Sequence, residues 1–179
     1  MNPYIEIIRP GNALMGAISI ILVALIDKTI SVPVVLAMAA VFFETAAGNT
    51  INDYFDYKID LINKPERPIP SGRISLKNGR NYAYLLFLAG TVCGFLISYL
   101  TNNWIPFAIV LIADVVLYLY AYKLKSTPLI GNLAVAFTTG FGFVFGGLSI
   151  NNPIINIRLT IVIINPILNP GTRYLNSIS

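Results

Sequence analysis

The sequence predicts an all-α protein that crosses a membrane several times, and three observations lead to this prediction. Hydrophobic residues make up 56% of the 179 residues and charged residues only 11%, against roughly 25% charged residues in soluble domains. Five stretches have about the length and apolar character of a transmembrane helix. Ten of the twenty charged residues fall within residues 53–80. We expect a transmembrane helical bundle of about five spans, followed by a broken C-terminal segment.

The first predicted span covers residues 11–26 and ends at a polar joint over residues 27–31. It could imitate a signal peptide, but no small-residue cleavage pattern follows it and further apolar spans come after it. We therefore expect a retained membrane anchor. The second span covers residues 32–57 and runs into the charged cluster of residues 53–80.

The remaining spans are separated by short polar joints. Residues 101–103 divide the third span, 81–100, from the fourth, 104–122, and a fifth covers residues 128–150. Beyond it, prolines interrupt an apolar patch that is too short and too broken for a confident sixth span. We expect one transmembrane domain over residues 1–157 and an atypical tail over residues 158–179.

Lysines and arginines indicate the orientation of these spans. Threading the chain through five spans places Arg9, the charged cluster and Lys123 on one side, and Lys28 on the other. The side richer in lysine and arginine is cytoplasmic. The sequence thus predicts a multi-pass protein of the cell membrane whose N-terminus and charged loops lie in the cytoplasm.

The composition also argues against two kinds of site. No basic run is interleaved with aromatic residues, so no nucleic-acid partner is expected. The chain contains no histidine, which removes histidine-based acid–base catalysis and most zinc sites.

A stripe of polar residues marks the end of the second span. At about 100° per residue, Asn52, Asp56 and Asp60 lie at about 0°, 40° and 80° around the helix. Asn49 lies at about 60° and Asp53 at about 100° on the same scale. Carboxylate and amide oxygens suit Mg²⁺, which usually completes its shell with water and substrate phosphates. The stripe therefore favours a bound phosphate ester or diphosphate.

A simpler interpretation of the stripe is a solvated helix end. In that case the aspartates would pair with Lys58, Lys64 and Arg67 and would bind no ligand. The position of the aspartates on one face with amides favours the metal site instead.

The loop after the stripe is stiff and cationic. Three prolines within residues 63–75 preclude a helix there, and Gly72 allows a tight turn. Lys64, Arg67 and Arg73 would then lie within reach of a diphosphate, whose oxygens match guanidinium groups in pairs. The general excess of lysine and arginine in cytoplasmic loops would explain the positive charge of this loop. It would not explain the prolines.

The segment NDYFDYKIDLINKPERPIPSG, residues 52–72, resembles the first aspartate-rich motif and following loop of the UbiA superfamily of intramembrane prenyltransferases. Two further segments agree with this resemblance. IEIIRPGNALMG, residues 5–16, is similar to the start of the family's first helix. YAYKLKSTPLIGN, residues 120–132, resembles its tyrosine-x-x-lysine motif. The resemblance covers residues 4 to about 157, which implies an incomplete transmembrane prenyltransferase-like domain over residues 1–157.

The resemblance implies a fold and an activity. Family members are helical membrane bundles with a central cavity, and they use Mg²⁺ to transfer a polyprenyl group from its diphosphate to an acceptor. The likeness is greatest to archaeal members that prenylate geranylgeranylglyceryl phosphate with geranylgeranyl diphosphate in ether phospholipid biosynthesis. It implies that Asn52, Asp56 and Asp60 hold Mg²⁺ and the diphosphate.

The resemblance also implies roles for residues around this group. Asp53 would assist, and Arg67 and Lys123 would neutralise the phosphates. Tyr120 would orient Lys123 or stabilise an allylic cation through its ring. Asn12 would line the cavity, although capping the first helix is an equal alternative for it.

One part of the family pattern is missing. The second aspartate-rich motif of the family lies on a later helix, whereas Asp114 is the last carboxylate of this sequence. We therefore expect this chain to be inactive or nearly so, although the family is one of transferases.

Three alternatives remain open at this point. The acceptor could be aromatic, as in quinone synthesis. The chain could be a small non-enzymatic membrane transporter for cations or phosphate, with Glu44, Asp114 and the stripe as its pathway. It could also be a degenerate membrane protein without activity.

Glu44 and Asp114 are acids in the middle of predicted spans, where an unpaired charge costs about 2.5–3.5 kcal/mol. Glu44 lies about 80° from Asn52 and two turns deeper, so it would line the same cavity or bond to another helix. Asp114 lies about 180° from Lys123 around its helix. We do not expect the two acids to share one pocket.

Overall fold

The computed structural model describes residues 1–28, 30–123 and 145–148. These residues form helices and turns, and no strand occurs among them, which confirms the predicted fold class. The rest of the fifth predicted span and the tail over 158–179 lie outside the described residues. The helices in chain order are α1 (Pro3–Ile7), α2 (Pro10–Asp27), α3 (Val32–Phe55), α4 (Tyr57–Asn63), α5 (Leu76–Thr101) and α6 (Ile105–Tyr122).

Helices α3, α5 and α6 are long and apolar enough to cross a membrane, and α2 contains a shorter apolar stretch, Pro10–Ile21. The first, second and fourth predicted spans agree with α2, α3 and α6 to within two residues at each end. Prolines lie in the first turn of all three helices, where the missing N–H has no intrahelical partner to lose.

The third predicted span begins too late in the chain. Helix α5 starts at Leu76 rather than at residue 81. The Ser75 hydroxyl caps it by accepting a hydrogen bond from the Asn78 N–H at 3.2 Å. Hydropathy misses this start because Lys77, Asn78 and Arg80 are polar. Part of the charged cluster is therefore helical, including Lys77 and Arg80.

Helix α3 lies at the centre of the bundle and packs against α2, α5 and α6. Small residues allow this close approach, since Ala46 and Ala47 on α3 are fully buried. The contact between α5 and α6 also depends on a small residue. A Cβ at Gly94 would lie 2.8 Å from Cγ2 of Val110.

The outer surface of the bundle is apolar. Leu85 and Leu88 of α5 and Ile112 and Val115 of α6 are exposed by 47–63%. Such side chains suit hydrocarbon rather than water, so the bundle presents a lipid-facing surface around a helix core.

Candidate functional site

A polar cavity of about 310 Å³ opens where α3 meets α4, beside the end of α6 and the loop that follows α4. Three of its side chains are cationic and two are carboxylates, so the lining carries a net charge of +1. The lining residues are Arg9, Asn52, Asp56, Ile59, Asp60, Asn63, Lys64, Arg67 and Tyr120.

The three predicted metal ligands, Asn52, Asp56 and Asp60, all line this cavity. The prediction of one continuous helix through them is wrong, because α3 ends at Phe55 and α4 begins at Tyr57. Asp56, at φ −81° and ψ −2°, links the two helices. Its N–H donates to Asn52 O at 2.9 Å, and the Asp60 N–H donates to Asp56 O at 2.8 Å. These bonds keep a four-residue helical spacing across the break.

The side-chain oxygens of Asn52, Asp56 and Asp60 are suitable ligands for a hard cation. Oδ1 of Asn52 is buried and receives no hydrogen bond from the described residues. An amide oxygen beside two carboxylates matches the preference of Mg²⁺ for oxygen ligands. In the part of the chain that the structure describes, no three His, Cys, Asp or Glu side chains gather around one point. The cavity therefore offers a partial set of metal ligands, which fits a metal that also binds oxygens of water or phosphate.

Asp53 lies behind the cavity rather than in its lining. Its side chain is only 4% exposed, and Oδ1 accepts hydrogen bonds from Arg9 at 2.5 Å and from Arg67 at 3.1 Å. Two guanidinium groups thus compensate this buried carboxylate. Asp53 holds two of the cavity's cations in place.

Arg67 connects the two aspartates of different helices. Its Nη1 lies 2.6 Å from Oδ2 of Asp60 on α4 and 3.1 Å from Oδ1 of Asp53 on α3. The pairing of the aspartates with Arg67, weighed above as the simpler interpretation, is therefore present. The cavity is present as well, and Asp60 and Arg67 line it together, so the pairing does not close the space in which a ligand could bind.

Arg9 is a cavity residue to which the sequence pointed only as a topology signal. It adopts a left-handed conformation, φ 50°, between α1 and α2, which is uncommon for a residue other than glycine. Asn49 supports this bend, since its Nδ2 donates to Ile8 O at 3.0 Å. Asn49 is thus engaged with the backbone beside Arg9 and does not line the cavity.

Arg73 does not lie in the cavity, which corrects the expectation that it reaches a diphosphate. Its guanidinium donates to both carboxylate oxygens of Glu6, at 2.7 and 2.9 Å, and to Glu66 O at 2.6 Å. This hydrogen bonding lowers the pKa of the Glu6 carboxyl. Glu6 and Arg73 thereby attach α1 to the loop.

The remaining predicted residues lie at the edge of this region. Tyr120 and the exposed Lys64 line the cavity, whereas Lys123 caps α6 and is exposed. Asn12 is exposed in the first turn of α2. Arg9 is the residue at the N-cap position, so the alternative of Asn12 as the cap is wrong.

The two acids of the spans meet, against expectation. Glu44 on α3 reaches Gly90 of α5, and Asp114 on α6 accepts a hydrogen bond from the neighbouring Thr91, which brings the two acids close enough to interact. Neither is among the residues that line the polar cavity. Angles around a single helix carry no information about how α3 and α6 are rotated toward each other.

The sequence matches the model of the UbiA prenyltransferase family over residues 13–179. A protein of Methanobrevibacter smithii named digeranylgeranylglyceryl phosphate synthase is 64% identical over 155 residues, which cover 87% of this chain and 55% of that protein. A protein of Methanosphaera stadtmanae with the same name is 51% identical over 148 residues, covering 83% and 53%. The chain spans about half the length of the curated relatives it matches.

A solved structure shares the fold. It belongs to a study of digeranylgeranylglyceryl phosphate synthase in membranes, and it superimposes with a TM-score of 0.81 at 36% sequence identity. The match covers 90% of this chain and 56% of the other.

Proposed function

This chain belongs to the UbiA prenyltransferase family, and from that premise we propose that its polar cavity binds the diphosphate of geranylgeranyl diphosphate. The acceptor of the geranylgeranyl group would be geranylgeranylglyceryl phosphate. The observation that supports this most directly is the buried Oδ1 of Asn52, which has no hydrogen-bond partner among the described residues. Asn52 shares one cavity with two aspartates and with Lys64 and Arg67.

Mg²⁺ is the cofactor that this donor set fits. Asn52, Asp56 and Asp60 would hold it, and when bound it would neutralise charge on the diphosphate leaving group. Lys64, Arg67 and Arg9 would bind the remaining phosphate oxygens, because they are the cations of the cavity. Asp53 would act through the two arginines that it holds.

The reaction would break the bond between the allylic carbon and the diphosphate oxygen. An acceptor hydroxyl oxygen would form the new bond to that carbon and lose its proton. Tyr120 is the aromatic residue of the cavity lining, and its ring would stabilise the allylic cation. Lys123, three residues further along, would add positive charge near the phosphates.

The glyceryl phosphate acceptor is favoured over an aromatic one by the names of the two similar archaeal proteins. An acceptor panel in nanodiscs separates the two: the archaeal lipid acceptor should be prenylated by a full-length relative, and 4-hydroxybenzoate should not. Prenylation of the aromatic compound alone would reverse this assignment.

Binding of the donor tests the cavity itself. Asp56→Asn and Asp60→Asn should abolish the Mg²⁺-dependent affinity of this chain for geranylgeranyl diphosphate in titration calorimetry, because each change removes a carboxylate ligand. Glu66→Gln is the matched control, since it removes an exposed acid of the loop that follows α4. Unchanged affinity in the aspartate variants would count against the site.

Turnover is a separate matter. In these 179 residues no Asp or Glu follows Asp114, so they contain one aspartate-rich motif and no acid for a second one. We propose that this chain binds the donor but has little or no transferase activity. Incubation with Mg²⁺, geranylgeranyl diphosphate and geranylgeranylglyceryl phosphate tests this, and turnover comparable to that of a full-length relative would overturn it.

A further inference from the structure

Glu44 and Asp114 form a buried acid pair in the middle of two helices that cross the membrane. Glu44 is only 7% exposed, and no N–H or hydroxyl group of the described residues donates to either of its carboxylate oxygens. Among the described residues, the polar side chain that Glu44 meets most directly is Asp114. Two carboxyl groups that face each other can bond only if one of them carries a proton.

Helix α5 is shaped around this pair. A Cβ at position 90 would lie 2.0 Å from Oε1 of Glu44, so the absence of a side chain at Gly90 makes room for the carboxyl group. The next residue, Thr91, donates its hydroxyl to Oδ2 of Asp114 at 2.8 Å. Oδ1 of Asp114 receives no bond from an N–H or hydroxyl of the described residues, which leaves it available to Glu44.

No cation of the neighbouring helices that the structure describes lies close enough to neutralise the pair. Helices α2, α3 and α6 contain no lysine or arginine. On α5, Arg80 precedes Gly90 by ten residues, about 15 Å along the helix. Among these helices, the other titratable group near the pair is the Cys93 thiol of α5. Helix α2 has a single acid, Asp27, and it is the last residue of that helix. A pair in which both carboxyls are ionised would therefore be strongly unfavourable here, so at least one of them keeps its proton.

We propose that Glu44 and Asp114 share one proton and thereby join α3 to α6 in the membrane interior, as positioning residues for the polar cavity. Helix α3 carries Asn52 eight residues beyond Glu44, and α6 carries Tyr120 six residues beyond Asp114. These separations correspond to about 12 and 9 Å along the helices. The pair therefore fixes the register of the two helices that bring these residues to the cavity.

The shared proton is tested without any ligand. Infrared spectra of the chain in nanodiscs should show a protonated carboxyl band that persists at neutral pH in the unchanged chain and in the Glu66→Gln control. The Glu44→Gln/Asp114→Asn variant should lose this band while keeping its helical circular dichroism, because amides preserve the shape of the pair. Absence of the band from the unchanged chain, or stabilisation by added Na⁺ instead of by a proton, would overturn the proposal.

The positioning role rests on the proposed function, and its readout is donor affinity. Glu44→Gln should bind Mg²⁺ and geranylgeranyl diphosphate within about twofold of the unchanged chain, because an amide can donate to Asp114. Glu44→Leu should bind about tenfold more weakly. Equal affinity of the two variants would refute positioning. Absence of donor binding in the unchanged chain would refute the proposed function and leave the infrared result standing.

The pH dependence of stability gives a second readout if Glu44→Leu does not fold. Raising the pH from neutral should lower the unfolding temperature of the unchanged chain, because removal of the shared proton leaves two repelling carboxylates. The Glu44→Gln variant should lose this decrease. Parallel pH curves for the two proteins would contradict the proposal.

Discussion

Individual charged side chains of the cavity have two tasks. Arg67 lines the cavity and at the same time pairs with Asp53 and Asp60, whose side chains are 4% and 7% exposed. A buried carboxylate without a partner is costly. The arginine is therefore needed for folding before it can be useful to a ligand.

We expect Arg67→Gln to lower the free energy of unfolding by about 1.5–3 kcal/mol, because Asp60 loses a charged hydrogen-bond partner. Arg67→Lys should recover only part of this loss, since a compact ammonium matches the two carboxylates less well than a guanidinium does. Unfolding in mixed detergent micelles measures the effect. Lys58→Gln, which changes an exposed cation of α4, is the control, and an equal effect of both changes would contradict the role of Arg67.

The sequence predicted the residue types of the cavity better than their partners. Asn52, Asp56, Asp60, Lys64, Arg67 and Tyr120 were all identified from spacing and resemblance, and all six line the cavity. The role of Arg9 was missed because it depends on a left-handed backbone conformation, for which no local sequence signal exists. Arg73 was misassigned because its partner, Glu6, is 67 residues away in the chain.

Whole elements are attached to one another by few polar contacts. Helix α1 is only five residues long, too short to be stable by itself in water. Its buried residue Ile7 and the bidentate pair between Glu6 and Arg73 hold it against the bundle and the loop. The attachment depends on the charge of Glu6.

We expect the unfolding temperature to decrease as the pH falls below about 4.3, the ordinary pKa of glutamate. Hydrogen bonds from Arg73 lower the pKa of Glu6 in the folded protein, so the stabilisation is present above that pH and is lost as Glu6 gains a proton. Differential scanning fluorimetry of the unchanged chain and Glu6→Gln measures this. The variant should show a smaller decrease, and indistinguishable pH curves would exclude the contribution of Glu6.

Close helix packing makes a further prediction at this scale. Gly90→Ala should destabilise the bundle by about 1–3 kcal/mol, because the new methyl group overlaps the Glu44 carboxyl. Gly11→Ala is the matched control, since no atom lies within 4 Å of a Cβ built there. The control should be neutral or slightly stabilising in a helix. A similar loss in both variants would indicate a backbone effect rather than an overlap.

The start of α5 and the break at Asp56 show where hydropathy fails for whole elements. Apolar runs locate the part of a helix that lies in hydrocarbon, and here they located three helices to within two residues. They carry no information about polar turns outside the hydrocarbon, such as the one capped by Ser75. They also cannot distinguish a straight helix from two helices joined at one residue.

At the scale of the whole molecule, the charge distribution predicts that the cavity faces the cytoplasm. We expect a membrane-impermeant maleimide to label Ile30→Cys in intact cells, because Ile30 is 82% exposed in the connection between α2 and α3. Glu66→Cys should be labelled only after permeabilisation. The buried native Cys93 keeps the background low, and the opposite labelling pattern would invert the orientation.

The charged side chains at the cavity form one connected chain of ion pairs. Arg9 contacts Asp53, Asp53 contacts Arg67, and Arg67 contacts Asp60. Substitutions within such a chain of contacts do not have additive effects, because each one changes the partner that the next residue sees. Single alanine substitutions of these four residues would consequently count the same interaction energy more than once. Double-mutant cycles between neighbouring residues are needed to separate the free energy of donor binding from the interaction energy among the four side chains.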